Sequence, residues 1–235
     1  MRRRAISFSL WGSNHKYTGG AVQNAILANE IYPEWDCVFH VGDSTPESVL
    51  VELSQYQNVR VIETKSPGNW TSSLWRFMLI DTGYYDAVII RDCDSRLSYR
   101  ERAAVEQWLQ ENRAFHVMRD HPQHATEIMA GMWGVRKGAI NFTETIHAYP
   151  KLGDYWQVDQ NYLRDVVWPI AISSNTTHDE FFVKRKFPFG MRHPSHFVGQ
   201  AYDGDGKALD TKENFWDYLP TQRIEYEKYR ISSRE

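Results

Sequence analysis

The chain has 235 residues, enough for one domain with a substantial core. Its formal net charge of −3 and pI near 6.3 exclude the clustered excess of Lys and Arg on which non-specific nucleic-acid binding depends. No run approaches the roughly 20 apolar residues of a membrane span.

Residues 5–10 read as a strand, "WGSNHKYTGG" as a loop and residues 21–31 as a helix. The opening "MRRRAISFSLWGSN" is basic, but its apolar run is marginal for a signal peptide. A second strand spans 38–41 and closes at "GDS". Thr45 and Pro46 then open a helix as N-cap and first helical residue. A third strand covers 59–63, and "SPGN" turns the chain. The next helix, 71–81, carries Leu74, Phe77 and Met78 at helical spacing. A fourth strand follows at 87–91, with four apolar residues, Ala87 to Ile90, running into Arg91.

Ser98 and Glu101 form a capping box for a helix whose apolar stripe is Ala104, Val105, Trp108 and Leu109. A strand over 115–118 leads into "RDHPQH", and "IMAGMWGV" reads as a strand broken by Gly131 and Gly134. Asn141 caps a short helix that ends before Pro150. "GDYWQVDQNYLRDVVWP" reads as a helix capped by Asp154, with Gln157 reaching back and Pro169 as the stop. After Ser174 the pattern is irregular, and a polar tail read as helical ends the chain. Strands alternating with helices predict an α/β fold with a mostly parallel, Rossmann-like sheet flanked by helices, in one domain.

Cys37 and Cys93, the two cysteines, fall in or beside predicted strands, so separate thiols are expected rather than a disulfide. That suits a reducing, cytoplasmic compartment. Basic residues gather at Arg2–Arg4 and at Lys184–Arg192, where they could meet a phosphate. Nine Trp, thirteen Tyr and eleven Phe are compatible with sugar recognition, although core packing accounts for most of them.

The stretch "DAVIIRDCDS" ends the fourth strand with two carboxylates two residues apart. Parallel α/β sheets bind ligands outside the carboxyl ends of their strands. On an extended backbone Asp92 and Asp94 project to one face while Cys93 points back. Two hard oxygen ligands suit Mn²⁺ or Mg²⁺ and leave positions for water and substrate phosphates. A bare Asp-x-Asp is equally at home in a solvated turn; its place after a buried strand is what favours a site.

"WRFMLIDTGYYDAVIIRDCDS" resembles the core of GT-A glycosyltransferases, whose DxD motif binds a metal–nucleotide-sugar complex. "HVMRDHP", "GMWGV", "GDYWQVDQNYL", "HDEFF" and "FVGQ" follow in the order seen in a group of short virus-encoded and bacterial polysaccharide glycosyltransferases. The resemblance implies a nucleotide-binding half over about 1–98, a sugar and acceptor half over about 99–210, and a tail over 211–235. It implies a nucleotide-sugar donor, with UDP the expected nucleotide, and a glycan acceptor.

For the donor it points to Ser9, Leu10, Trp11, Lys16 and Tyr17 in the first loop, to Arg76 before the DxD strand, and to Asp92, Trp133 and Gly134. The metal would be held by Asp92, Asp94 and His178, with His196 in reserve. Trp156, Asp159, Gln160 and Leu163 share a helix face. Asp159 and Gln160 look like the Asp-Gln pair of retaining enzymes, and Asp120 is the one candidate base for an inverting reaction.

Three rivals share parts of this pattern. A phosphatase of the haloacid dehalogenase type would place its first Asp on the strand that opens the fold. A nucleotidyltransferase would carry a denser Gly and Arg/Lys loop than "SLWGSNHKYTGG". A non-catalytic carbohydrate-binding protein would need no metal–diphosphate site.

Overall fold

The structure, a computed structural model, describes residues 3–183, 185–189 and 192–232. Arg2 and Lys184 of the two basic clusters lie outside them. Seven strands form one sheet: β1 (Arg4–Leu10), β2 (Asp36–Val41), β3 (Val59–Glu63), β4 (Ala87–Arg91), β5 (Phe115–Arg119), β6 (Met132–Arg136) and β7 (Asn175–Asp179). Their order is β3-β2-β1-β4-β6-β5-β7, and only β6 runs antiparallel to its neighbours. The helices are α1 (His15–Ile31), α2 (Glu47–Leu53), α3 (Tyr99–Glu111), α4 (Phe142–His147), α5 (Val158–Tyr162), α6 (Trp168–Ala171) and α7 (Phe215–Ser232), with a 3₁₀ segment over Trp70–Thr82.

Period-2 alternation divides the buried residues between two faces. Ile6, Phe8, Ala87 and Ile89 pack with α1, α3 and α7, around Ala25, Trp108 and Phe215. Val88 and Ile90 pack on the other face with Phe77 of the 3₁₀ segment, Phe142 of α4 and Tyr162 of α5. Both cysteines are buried and free.

Several local expectations are corrected. α1 begins at His15, six residues before the predicted start, because the Asn14 side chain caps it by accepting from Lys16 N–H at 3.0 Å. Gly19 and Gly20 therefore lie inside the helix. A Cβ on Gly20 would stand 2.1 Å from the Cys93 carbonyl, so glycine lets the helix touch the turn after β4. Pro46, not Thr45, occupies the N-cap of α2, and the buried Thr45 hydroxyl has no hydrogen-bond partner.

The 3₁₀ segment replaces a predicted α-helix. Its buried apolar residues are Leu74, Phe77, Leu79 and Ile80, and three of them, Leu74, Phe77 and Ile80, stand at the three-residue spacing that a three-residue turn aligns on one face. Asn69 and Ser72 close a reciprocal capping box at its start, and Gly83 ends it in the left-handed region at φ 68°.

Ser98 caps α3, but Glu101 does not reach back; it pairs with buried Arg91 at 3.1 Å. The strand predicted in "IMAGMWGV" starts only at Met132. Asp154 does not cap its own helix either. Its carboxylate accepts from Trp70 N–H at 2.9 Å and caps the 3₁₀ segment instead, so α5 starts four residues later. Pro169 does not end the helix: a π-helical turn over Leu163–Val167 widens the ladder ahead of it, and α6 carries on to Ala171. β7 lies in a stretch read as irregular.

Candidate active site

β1 and β4 are neighbours at the centre of the sheet, with Ser7 opposite Ile90, so their carboxyl ends release Ser9 and Asp92 side by side. A cavity of about 580 Å³ opens there, within the size range of small-molecule sites. Ser9, Leu10 and the Trp11–Asn14 loop form one wall and Asp92 to Asp94 form the floor. Ser73 and Arg76 stand opposite, and Trp156, Gln157 and Asp159 overhang it.

The two carboxylates reach this cavity through a tight turn rather than an extended strand, since Ser95 N–H and Ser95 Oγ–H both donate to the Asp92 carbonyl. Cys93 points back as expected, its thiol donating to the Ser9 carbonyl at 3.4 Å. Gly131 makes room for Asp92: a Cβ there would fall 1.9 Å from Asp92 Oδ2.

The chain itself supplies two cations to the acidic corner. Lys16 Nζ lies 2.6 Å from Asp94 Oδ2. Arg76, itself buried, donates to the Arg91 carbonyl at 2.9 Å, to Asp92, and to Asp159 Oδ2 at 2.9 Å. One guanidinium therefore ties the DxD turn to the overhanging helix. Burial and the neighbouring Asp92 charge raise the Asp94 pKa, against the lowering effect of Lys16. Burial disfavours the Lys16 ammonium, yet its bond and attraction to Asp94 outweigh that and leave its pKa raised.

Ser9 is fixed by accepting from Arg76 N–H at 3.1 Å. Trp11 packs in a slot where a Cβ on Gly68 would meet its side chain at 2.4 Å, and it meets Trp75 edge-on. Tyr17 is half exposed with Lys16 Nζ 5.0 Å from its ring centre. The structure thus brings Ser9, Leu10, Trp11, Tyr17, Arg76, Asp92, Asp94 and Asp159 around one cavity, with Lys16 beside them.

Six other candidates are placed elsewhere. His178 is fully buried on β7, three strand spacings or about 14 Å from β4. Its Nδ1 is bonded to His116 Nε2 at 2.9 Å and its Nε2 to Gln107 at 3.0 Å, so neither nitrogen is left for a metal. Burial, then Arg185, pushes it down to about 3. His196 sits against Tyr202 and Glu213, also away from the cavity. Asp120 is fully buried in a two-bond pair with Arg100 and also accepts from Val198 N–H, which leaves no exposed base.

Gln160 braces the loop before β6, donating to the Ile128 carbonyl and accepting from Ala130 N–H. Trp133 is a core residue packed on Phe77, and Gly134 makes room for Trp108 rather than for a ligand. Of the second basic cluster, Arg185 pairs with Glu111 and Arg192 donates to the Asp120 carbonyl; neither lines the cavity.

Sequence reasoning missed Ser73, Trp70 and the loop face of Trp156 as cavity residues. Trp156 is 67 % exposed and Trp70 47 %, unusually high for tryptophan. Asp154, which the sequence offers as a helix cap, instead ties Trp70 to the Trp156 loop across 84 residues, a pairing no local pattern signals.

No family model matches the chain, and no curated protein matches it. Solved structures do. A glycosyltransferase involved in glycosylation of the major capsid of PBCV-1 aligns with TM-score 0.52 at 11 % identity, over 77 % of this chain and 83 % of that one. TarS of S. aureus aligns with TM-score 0.52 at 10 % identity, over 80 % and 59 %. Mannosyltransferase PcManGT from Pyrobaculum calidifontis, in complex with GDP-Man and Mn²⁺, aligns with TM-score 0.51 at 11 % identity, over 77 % and 56 %. The chain thus spans less than two thirds of the latter two. These likenesses identify the architecture as the GT-A fold.

The corner fits a hard divalent cation. Two adjacent carboxylates share it, and burial together with the Asp92 charge raises the cost of ionising Asp94, which a bound cation relieves. No histidine lines the cavity among the described residues, so the ligand set here is oxygen only. Oxygen ligands of this kind suit Mg²⁺ or Mn²⁺.

Proposed function

We propose that this protein is a metal-dependent glycosyltransferase that moves a sugar from a nucleoside diphosphate sugar to a hydroxyl of a glycan acceptor. The observation that carries this reading is the pair Asp92 and Asp94, opening onto a ligand-sized cavity at the carboxyl ends of β1 and β4 in a GT-A fold. Asp92 and Asp94 would hold Mn²⁺ or Mg²⁺, which when bound supplies Lewis-acid stabilisation of the departing diphosphate.

The chain's own groups divide the remaining work. Trp11 and Tyr17 offer ring faces to a base, and UDP is the nucleotide we assign. Lys16 stands where a diphosphate oxygen can take over its bond from Asp94, so its charge serves the leaving group. Arg76 holds the DxD turn and Asp159 in fixed relation. Asp159 overhangs the cavity, where its carboxylate can stabilise an oxocarbenium-like sugar, and we assign a retaining outcome on this basis. Gln160 positions the loop leading to β6 rather than touching the sugar. Trp70 and Trp156 offer ring faces at the mouth to an acceptor sugar.

The phosphatase alternative is disfavoured because the Asp-x-Asp strand is the fourth in the chain, not the first. Incubation with a panel of nucleotide sugars in Mn²⁺ tests the proposal. Donor hydrolysis or transfer is expected with at least one of them, and is expected to vanish in excess chelator and in Asp94→Ala while that variant stays folded. Full activity under either condition would sink the proposal, and an aspartyl-phosphate analogue trapped on Asp92 would favour the phosphatase instead.

A further inference from the structure

The chain after β7 builds a second polar cluster, away from the cavity. His196 is 4 % exposed, and its Nε2 lies 3.4 Å from Glu213 Oε2. The hydrogen bonds around it fix its tautomer. The Gln200 amide nitrogen donates to the Ser195 carbonyl at 2.9 Å and to Asp210 at 2.8 Å, which turns the amide oxygen toward Tyr202. The Tyr202 hydroxyl donates to that oxygen at 2.6 Å, so it accepts from His196 Nδ1–H at 3.1 Å.

A neutral His196 therefore presents a bare Nε2 lone pair to a carboxylate. Two acceptors facing each other across 3.4 Å are reconciled either by a metal ion between them or by a second proton on the ring. His193 brings the third ligand. One ligand atom from each of His193, His196 and Glu213 lies within 4.8 Å of the others. Both imidazoles rest against the Tyr218 ring, at 4.7 and 4.5 Å between ring centres. The Nε2-to-carboxylate separation matches the roughly 3.4 Å edge of a tetrahedron with bonds of about 2.0–2.1 Å.

We propose that His193, His196 and Glu213 form a structural metal site for a borderline divalent cation, with Zn²⁺ the best chemical fit. Two imidazoles and one carboxylate favour Zn²⁺ over Mg²⁺, and three protein ligands leave a fourth position for water. The Tyr202–Gln200–Asp210 chain is the outer shell that orients His196. Binding through either nitrogen of His193 gives up only the 3.2 Å bond that Nδ1 accepts from Ser195 N–H.

The ion would pin the 193–200 turn to the segment before α7. That turn hands on to Tyr202, whose N–H donates to the Asp94 carbonyl at 2.8 Å. It also includes Val198, whose N–H donates to Asp120. The site thus braces the DxD turn from below, at the far end of the Tyr202 side chain from Asp94. It does not depend on the glycosyltransferase reading.

The test uses the full chain, stripped with chelator, carrying Asp92→Asn and Asp94→Asn so that the cavity carboxylates cannot contribute. Titration with Zn²⁺ is expected to show one equivalent bound and a rise in melting temperature, and Co²⁺ to give the visible absorption of a tetrahedral site. Adding Glu213→Gln, an exposed substitution, or His193→Ala is expected to weaken Zn²⁺ at least about 100-fold. No stoichiometric Zn²⁺ in the parent, or undiminished affinity in Glu213→Gln, would overturn the proposal. The pair would then be an ordinary imidazolium–carboxylate contact held by a proton.

Discussion

Asp92 and Asp94 each face a cation that the chain provides, and the two cations differ in kind. Lys16 is a flexible point charge that can leave Asp94, whereas Arg76 is buried with three acceptors and cannot. Substituting Arg76 by Ala is expected to cost about 3 kcal/mol in denaturant unfolding, the low end for a broken buried pair because the Asp92 side is solvated. Lys16→Ala should leave stability nearly unchanged and reduce donor turnover. Equal losses of stability in the two variants would remove the distinction. Gly131→Ala is a sharper probe, because it pushes a Cβ into the Asp92 carboxylate without removing any charge. A displacement of about 1 Å is enough to reduce turnover about 100-fold, and steady-state kinetics on the folded variant would read it.

The elements that carry the site were mostly legible. β1 alternates apolar residues with serines and β4 is a short apolar run between turn signals, and the Asp-x-Asp that follows β4 was visible for that reason. The start of α1 was not, because Gly19 and Gly20 look like a turn in the sequence and only their close neighbours make them helical. Gly20→Ala is expected to destabilise the fold by about 1–3 kcal/mol, as overpacking does, since the atom it meets is the backbone carbonyl of Cys93. A neutral result in thermal or denaturant unfolding would mean that α1 and the DxD turn are not in rigid contact.

β7 was missed because "NTTHD" has no apolar alternation; it is held by parallel pairing to β5 and by buried hydrogen bonds of Thr176 and His178. The same burial explains why a histidine that looked like a ligand is structural. The chemistry of His178 was readable, but its address on the sheet was not. Asp120 repeats the lesson, since nothing local predicts its pairing with Arg100.

Across the whole molecule, buried histidines make stability depend on pH. Burial holds His40 and His124 down at about 4 and His178 at about 3, against an ordinary value of 6.5. Each binds a proton in the unfolded chain before it does so in the folded one. Their contribution is therefore fully present above about pH 6.5 and is lost as pH falls toward 4, with a slope approaching about 4 kcal/mol per pH unit. Urea unfolding between pH 7 and pH 5 should show this steep loss, and a flat profile would mean these rings are accessible when folded. Among the described residues no helix is long and apolar enough to cross a membrane.

The central proposal is that a nucleoside diphosphate binds at the Asp92–Asp94 corner through a divalent cation. Isothermal titration of UDP and of GDP into the protein, in Mn²⁺ and again in excess chelator, addresses it directly. Binding of one of them in Mn²⁺, weakened at least about 100-fold by chelation and equally in Asp94→Ala, is the expected result. Metal-independent binding of the same strength, or no binding of either nucleotide, would contradict it.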